Sequence, residues 1–446
     1  MGAPIKRSGA KLVLEEHLEE LERLADTAGA AVVAQVTQQI DRPNPATYLG
    51  RGKVDELRDA IADTGASIVI FDDELSPAQG KNLEDELGKR VIDRAELILD
   101  IFATRARSSE AKMQVELAQL EYSLPRLTRM WTHLEKFRGG IGVRGPGETQ
   151  LETDRRLVSN RIKLLKERLG DVERSREVQR GSRRSTFRAA LVGYTNAGKS
   201  SVLRALSGAS DVFVEDRLFA TLDPLTREVE LADGYGILVT DTVGFIRKLP
   251  HHLVASFRAT LEETRDSDLL LHVIDASHAA WEEQRMVVNQ VLAELGVGEK
   301  PMLHVFNKTD LLDGAAALAV RDRVNNLLPD SVFVSAVDAG GADGALHGAP
   351  DSGERAGGLE PLRRALLARV RALRPVAQIR LPAGDGKLLA EIYRAGEVLE
   401  RRSEGDGETL VLTARVDPEL LGRLVGRGVE VNGGGEYNVK HGPGSD

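Results

Sequence analysis

Arg188 to Ser201 read RAALVGYTNAGKSS. Ala189 to Val192 is a short apolar run with the length of a buried strand, and it feeds a loop bracketed by Gly193 and Gly198. Lys199, Ser200 and Ser201 then open the helix-like VLRALSG. This is G-x-x-x-x-G-K-[ST] in the strand-loop-helix setting that gives the pattern its meaning. Glycines let backbone amides curl around phosphate oxygens, and the helix that follows turns its positive end toward the same charge. A phosphate cradle is therefore expected from Gly193, Asn196, Ala197, Gly198, Lys199, Ser200 and Ser201. Lys199 would reach the terminal phosphates, and the Ser200 hydroxyl would ligate Mg2+. The loop specifies a nucleotide but not which one.

Three stretches downstream narrow the choice. Asp241-Thr-Val-Gly244 follows a strand-like run, where an acid can hold magnesium through water and a glycine amide can meet a γ-phosphate. Asn307-Lys-Thr-Asp310 ends the run HVF. A carboxylate at Asp310 can accept from both the ring N–H and the exocyclic amine of guanine, a donor pair that adenine lacks. Asn307 would tie this loop to the phosphate loop, and the Lys308 stem would cover the base. Ser335-Ala336, after a last short strand, would offer a backbone N–H to the guanine oxygen. Four motifs in order, each at a strand end, point to GTP and GDP as substrate and product.

Around these motifs the chain reads as α/β in four units: residues 1–105, 106–184, 185–374 and 375–446. The first alternates helix and strand, with strands at Ala31 to Gln35 and Ser67 to Phe71 and helices at Val54 to Ala62, Ala78 to Leu87 and Arg94 to Ala103. Its turn Tyr48-Leu-Gly-Arg-Gly-Lys53 is either a phosphate site or only a loop. Helical patterns from Ser108 to Phe137, with Pro125 as a kink, and from Thr149 to Arg180 share a heptad-like seam. They predict an antiparallel hairpin with a tip at Gly139-Gly-Ile-Gly-Val-Arg-Gly-Pro-Gly147. That tip has more glycine than a connection needs, which favours a functional role. The third unit alternates strands and helices as a doubly wound Ras-like sheet, with a flexible insertion at 338–358. The fourth reads strand, helix (Lys387 to Arg401), strand (Leu410 to Ala414), helix (Pro418 to Gly426), then a polar tail.

The chain has 446 residues and no cysteine, so disulfides and thiolate metal sites are excluded. No run approaches the roughly 20 apolar residues that span a bilayer, and the N-terminus has no signal-peptide core. A cytoplasmic protein with no membrane insertion is expected. The formal net charge is −9, yet Glu121 to Arg188 carries 17 Lys and Arg against 9 acids. A basic segment on an acidic body suits contact with a polyanion, or else is a solvated helix face.

These residues resemble the translation-factor-like GTPases. With Leu218-Phe-Ala-Thr-Leu-Asp-Pro224, Asp241-Thr-Val-Gly-Phe-Ile-Arg-Lys-Leu-Pro250 and Gly145-Pro-Gly-Glu-Thr-Gln-Leu-Glu-Thr-Asp-Arg156, nearly the whole chain resembles the HflX family of ribosome-associated GTPases. The resemblance implies that Thr221 is the switch threonine for magnesium and γ-phosphate, so that Lys199, Thr221 and Gly244 carry the catalysis. It places Phe245 where many GTPases have a water-orienting glutamine. It implies binding to the large ribosomal subunit and splitting or rescue of stalled or idle ribosomes, as a monomer when free. The RNA contact would be the basic tip, through Arg138, Gly139, Gly140, Gly142, Arg144, Gly145 and Gly147. The alternative is a nucleotide-regulated RNA-binding module, or an assembly or hibernation factor without splitting activity. A P-loop kinase fails on NKTD, and no motif supports a second ATP site.

Overall fold

A computed structural model describes residues 10–130, 146–180, 186–209, 217–232, 235–249, 263–337, 358–405 and 407–432. The hairpin tip from Arg138 to Gly145, most of the 338–358 insertion and the tail after Asn432 lie outside the described residues.

The N-terminal region runs α1 (Ala10–Thr27), α2 (Arg51–Thr64), β1 (Ile68–Phe71), α3 (Pro77–Leu87), β2 (Arg90–Asp93) and α4 (Arg94–Arg105). β1 and β2 pair in parallel. Local signals set the boundaries: Ser76 and Gln79 form a reciprocal capping box at α3, Pro77 takes the first turn, and Gly88 ends it in the left-handed region. The expected strand at Ala31 to Gln35 is absent. β1 hydrogen-bonds only to β2, and Val33 is 58% exposed, so this run has β propensity but no ladder partner. The motif at Tyr48 to Lys53 opens α2, where Lys53 pairs with Glu56 at 2.7 Å.

α5 (Ser109–Met130) and α6 (Pro146–Arg180) form the hairpin, with Pro125 inside α5 and Gly147 in the first turn of α6. Leu165 is fully buried in the seam, while Arg161–Glu116 and Lys166–Glu121 ion pairs cross between the helices. Buried Asp93 ties this unit to the sheet. It caps α4 through the Glu96 amide, accepts the Tyr122 hydroxyl at 2.9 Å, and meets Arg126 at 3.3 Å.

The central sheet has six strands in the order β4-β5-β3-β6-β7-β8. They are β3 (Arg188–Gly193), β4 (Leu225–Glu230), β5 (Gly236–Asp241), β6 (Leu269–Asp275), β7 (Met302–Asn307) and β8 (Ser331–Phe333). Only β4 runs antiparallel to its neighbour. Helices α7 (Lys199–Ser207), α8 (Trp281–Glu294), α9 (Gly314–Leu327) and α10 (Glu360–Leu373) complete the wrap. One face shares a single core with the N-terminal region: Ile98 and Phe102 of α4 belong to the same cluster as Val192, Phe219 and Phe245. The parallel strands thus keep apolar cover on both faces, as such sheets require.

The C-terminal unit comprises β9 (Val376–Pro382), α11 (Gly386–Ala395), β10 (Gly396–Glu404), β11 (Thr409–Val416), α12 (Pro418–Gly426) and β12 (Glu430–Asn432). Its antiparallel order β10-β11-β9-β12 is that of a split βαβ unit. The expected helix through Arg401 therefore stops at Ala395. A side chain at Gly396 would meet Val416 Cγ1 at 2.4 Å, so the chain must enter a strand there without one. Among the described residues no helix is long and apolar enough to cross a membrane.

Candidate nucleotide site

The loop after β3 arches back over the sheet. Gly198 caps α7 at φ 90°, and a Cβ on it would lie 2.3 Å from Asn307 Nδ2. Asn307 uses that nitrogen to donate to Ala197 O at 3.0 Å, so the end of β7 and the phosphate loop are joined directly. Asn196 holds φ 60° at the turn, and Ser201 continues into the first turn of α7.

Lys199 is buried, and its ammonium donates to the carbonyls of Tyr194 at 3.0 Å and Gly193 at 3.3 Å. Burial pushes its pKa down to about 8, and the Asp241 carboxylate pulls the other way. Bound phosphate oxygens would favour the charged ammonium, so nucleotide binding takes up a proton above pH 8. Affinity is then full below pH 8 and falls as pH rises through it. Titrating a fluorescent GDP should give a roughly tenfold weaker complex at pH 9 than at pH 7. A flat profile would show that Lys199 is charged before the nucleotide arrives.

Beside the lysine three oxygen-bearing side chains converge. Asp241 Oδ2 accepts from Ser200 Oγ at 2.6 Å and from Thr221 Oγ1 at 2.8 Å, and the two hydroxyls are 2.7 Å apart. Asp241 is fully buried at the end of β5, and among the described residues its other oxygen, Oδ1, has no hydrogen-bond partner. Burial raises its pKa, against the pull of Lys199 and the two hydroxyls. A buried carboxylate oxygen without a partner, next to two hydroxyls, is a hard-oxygen set that fits Mg2+.

Residues that the motif treats as wildcards do the stitching. Thr195 N donates to Phe245 O at 2.7 Å, Phe245 N to Gly193 O at 3.1 Å, and Phe219 N to Thr195 Oγ1 at 2.9 Å. Gly244 lies so close that a Cβ on it would come within 2.7 Å of Thr195 Cα and 3.0 Å of Lys199 Nζ. Phe245, only 1% exposed, is packed into the shared core. Sequence reading passed over Thr195, and also Arg217, which lines the phosphate cavity with Lys199 and Thr221. Their only signal was proximity to the motifs.

At the base end, Lys308 takes φ 64° and pairs with Asp275 Oδ2 at 2.7 Å. Ser335 Oγ donates to Asp310 Oδ1 at 2.7 Å, which aims that carboxylate. The Ala336 amide donates to Asn307 Oδ1 at 3.2 Å. The second segment beyond the phosphates, Arg247-Lys248, is held from outside the sheet. Glu20 of α1 meets Arg247 at 3.2 Å, and Lys248 reaches Asp72 and Asp73 at 2.7 Å each. Buried Arg94 links the two carboxylates, donating to Asp72 at 2.9 Å and to Glu20. Of the expected RNA contacts only Gly147 falls among the described residues.

Comparison with known proteins gives the family. A family model described as GTP-binding GTPase N-terminal matches residues 15–103, GTP-binding GTPase Middle Region matches 105–183, and 50S ribosome-binding GTPase matches 188–308. The GTPase HflX of Magnetococcus marinus is 45% identical over 421 residues, covering 93% of this chain and 92% of that one. The chain belongs to the HflX family of GTPases. The Escherichia coli GTPase HflX is 45% identical over 394 residues, 88% of each chain. A solved structure of a GTP-binding protein from the archaeon Sulfolobus solfataricus in complex with GDP is 26% identical. It covers 83% of this chain and 99% of that one, at a TM-score of 0.42. As a member of the HflX family the chain is a GTP hydrolase that binds GTP and GDP.

Proposed function

We propose that the chain binds the large ribosomal subunit through ribosomal RNA and splits or rescues stalled or idle ribosomes, with GTP as the switch. The observation that carries the switch is the convergence of Thr221 on Asp241 and Ser200, which gives a segment outside the phosphate loop a direct stake in the γ-phosphate. In this reading Lys199 and the amides of Asn196, Ala197, Gly198 and Ser201 offset phosphate charge. Ser200 and Thr221 would hold Mg2+, Asp241 through water, and Gly244 would meet the γ-phosphate. The chemistry the ion would supply when held there is electrostatic neutralisation of charge on the phosphate oxygens. Asn307, Lys308, Asp310, Ser335 and Ala336 frame guanine.

The ribosomal partner is supported by the description of the matched GTPase family and by the exposed outer face of α6, where Arg155, Arg156, Lys163 and Arg168 face solvent. Arg138, Arg144 and the glycines of the tip would extend that contact. Hydrolysis should wait for the partner, because Phe245 cannot orient water and its ring is committed to the core. Turnover of GTP should rise at least tenfold on adding large ribosomal subunits, and the stimulation should shrink as salt is raised because phosphate contacts release counterions. A turnover that subunits leave unchanged would reject the reading. Light scattering of intact ribosomes then separates splitting from binding alone.

A further inference from the structure

We infer that Asp223 transmits the state of the nucleotide site to the hairpin by holding the residue that caps α5. The inference rests on the GTP-switch reading above and adds the route by which the switch is read. Ser108 is the cap: its hydroxyl accepts from the Ala111 amide at 3.0 Å, satisfying a free donor in the first turn of α5. Asp223 grips that cap. Its Oδ2 accepts from the amides of Arg107 at 3.1 Å and Ser108 at 3.2 Å, and its Oδ1 accepts the Ser108 hydroxyl.

Asp223 lies two residues after Thr221, whose hydroxyl sits on Asp241 and Ser200. Two residues before Thr221, the Phe219 ring packs edge-to-face on Phe102 of α4, with centroids 4.7 Å apart. The segment 219–223 is therefore anchored to the N-terminal region on both sides of the threonine. Thr221 cannot leave the phosphate site by several ångströms while both anchors hold. With GTP, Thr221 is kept where it lies here and Asp223 stays on the cap. After hydrolysis Thr221 is released, and Asp223 leaves the cap with it. α5 opens the hairpin, so a loosened first turn loosens the end of the hairpin that joins the N-terminal region. Linkage makes the effect reciprocal, so a partner that fixes the hairpin also favours GTP.

The test is hydrogen exchange at residues 107–112 of the full chain, with a non-hydrolysable GTP analogue and with GDP. Exchange should be about tenfold slower with the analogue, within the usual range of allosteric coupling. Asp223→Ala should erase the difference and, by the same linkage, lower the preference for the analogue over GDP by about tenfold while leaving GDP affinity within twofold of the parent. Asp223→Asn should keep part of it, since one amide oxygen can still accept from the Arg107 and Ser108 amides while its NH2 can only donate to the Ser108 hydroxyl. Equal exchange in both states of the parent, or a difference that survives in Asp223→Ala, would overturn the inference. If the exchange difference is present but no large subunit is bound with either nucleotide, the ribosomal reading fails and this coupling stands.

Discussion

Asp310→Asn should lower GTP affinity on the order of 1,000-fold and create a preference for xanthosine triphosphate. Guanine offers two donors on one edge, and a carboxylate accepts both. An amide accepts one and confronts the other with its own donor, leaving polar groups unmatched, which is the situation in which sites discriminate most strongly. Xanthine replaces the exocyclic amine with a carbonyl, so an amide at residue 310 matches it again. Asp310 is exposed and held from one side by Ser335 at 2.7 Å, which places the expected loss below that of a fully buried pair. Ser335→Ala should therefore cost only about tenfold, by freeing the carboxylate to rotate. Competition of labelled GDP by GTP and by the xanthine nucleotide measures both. Equal losses for the two nucleotides in Asp310→Asn would mean that Asp310 shapes the loop and does not read the base.

Gly198→Ala should abolish measurable nucleotide binding at micromolar protein, a loss of at least 100-fold. The added methyl would sit 2.3 Å from Asn307 Nδ2 at a backbone φ of 90°, where L side chains are strained. Either the loop or Asn307 must give way. Both outcomes break the 3.0 Å bond from Asn307 to Ala197 that joins the phosphate end to the base end. Gly208→Ala is the matched control. It too has a positive φ, 66°, closing α7, but among the described residues nothing lies within 4 Å of its Cβ. It should lower stability by about 1 kcal/mol and leave GDP binding intact. If Gly198→Ala binds GDP like the parent, the strut is dispensable. If both variants lose binding equally, backbone strain alone explains the effect.

The candidate nucleotide site could be proposed from sequence because each of its parts is a short contiguous loop at the end of an apolar run. Gly193 to Ser201, Asp241 to Gly244 and Asn307 to Asp310 would bind through backbone groups and one or two side chains. Local spacing therefore carries most of the chemistry. Secondary structure was less legible where tertiary partners decide. The run from Lys387 to Arg401 keeps helix-like spacing, yet it turns at Gly396 into β10 because β11 lies alongside, with register Gly396 to Val416. Ala31 to Gln35 has strand composition, yet no ladder reaches it. A propensity states what a segment tolerates, while pairing states what it does.

The sequence by itself determined a GTP-binding doubly wound domain, a basic helical hairpin before it and a small α/β unit after it. Each follows from periodicities and motifs confined to a few dozen residues. Only the tertiary structure decided how these parts act on one another. Glu20 meets Arg247 across 227 positions, Asp223 meets Ser108 across 115, and Phe102 shares a core with Phe219 and Phe245. Such contacts have no period and no fixed spacing, since they arise from packing an N-terminal layer over one face of the parallel sheet. The phosphate loop can be read in 14 residues of sequence, from Arg188 to Ser201. What its nucleotide does to the rest of the molecule depends on side chains that meet only when the chain is folded.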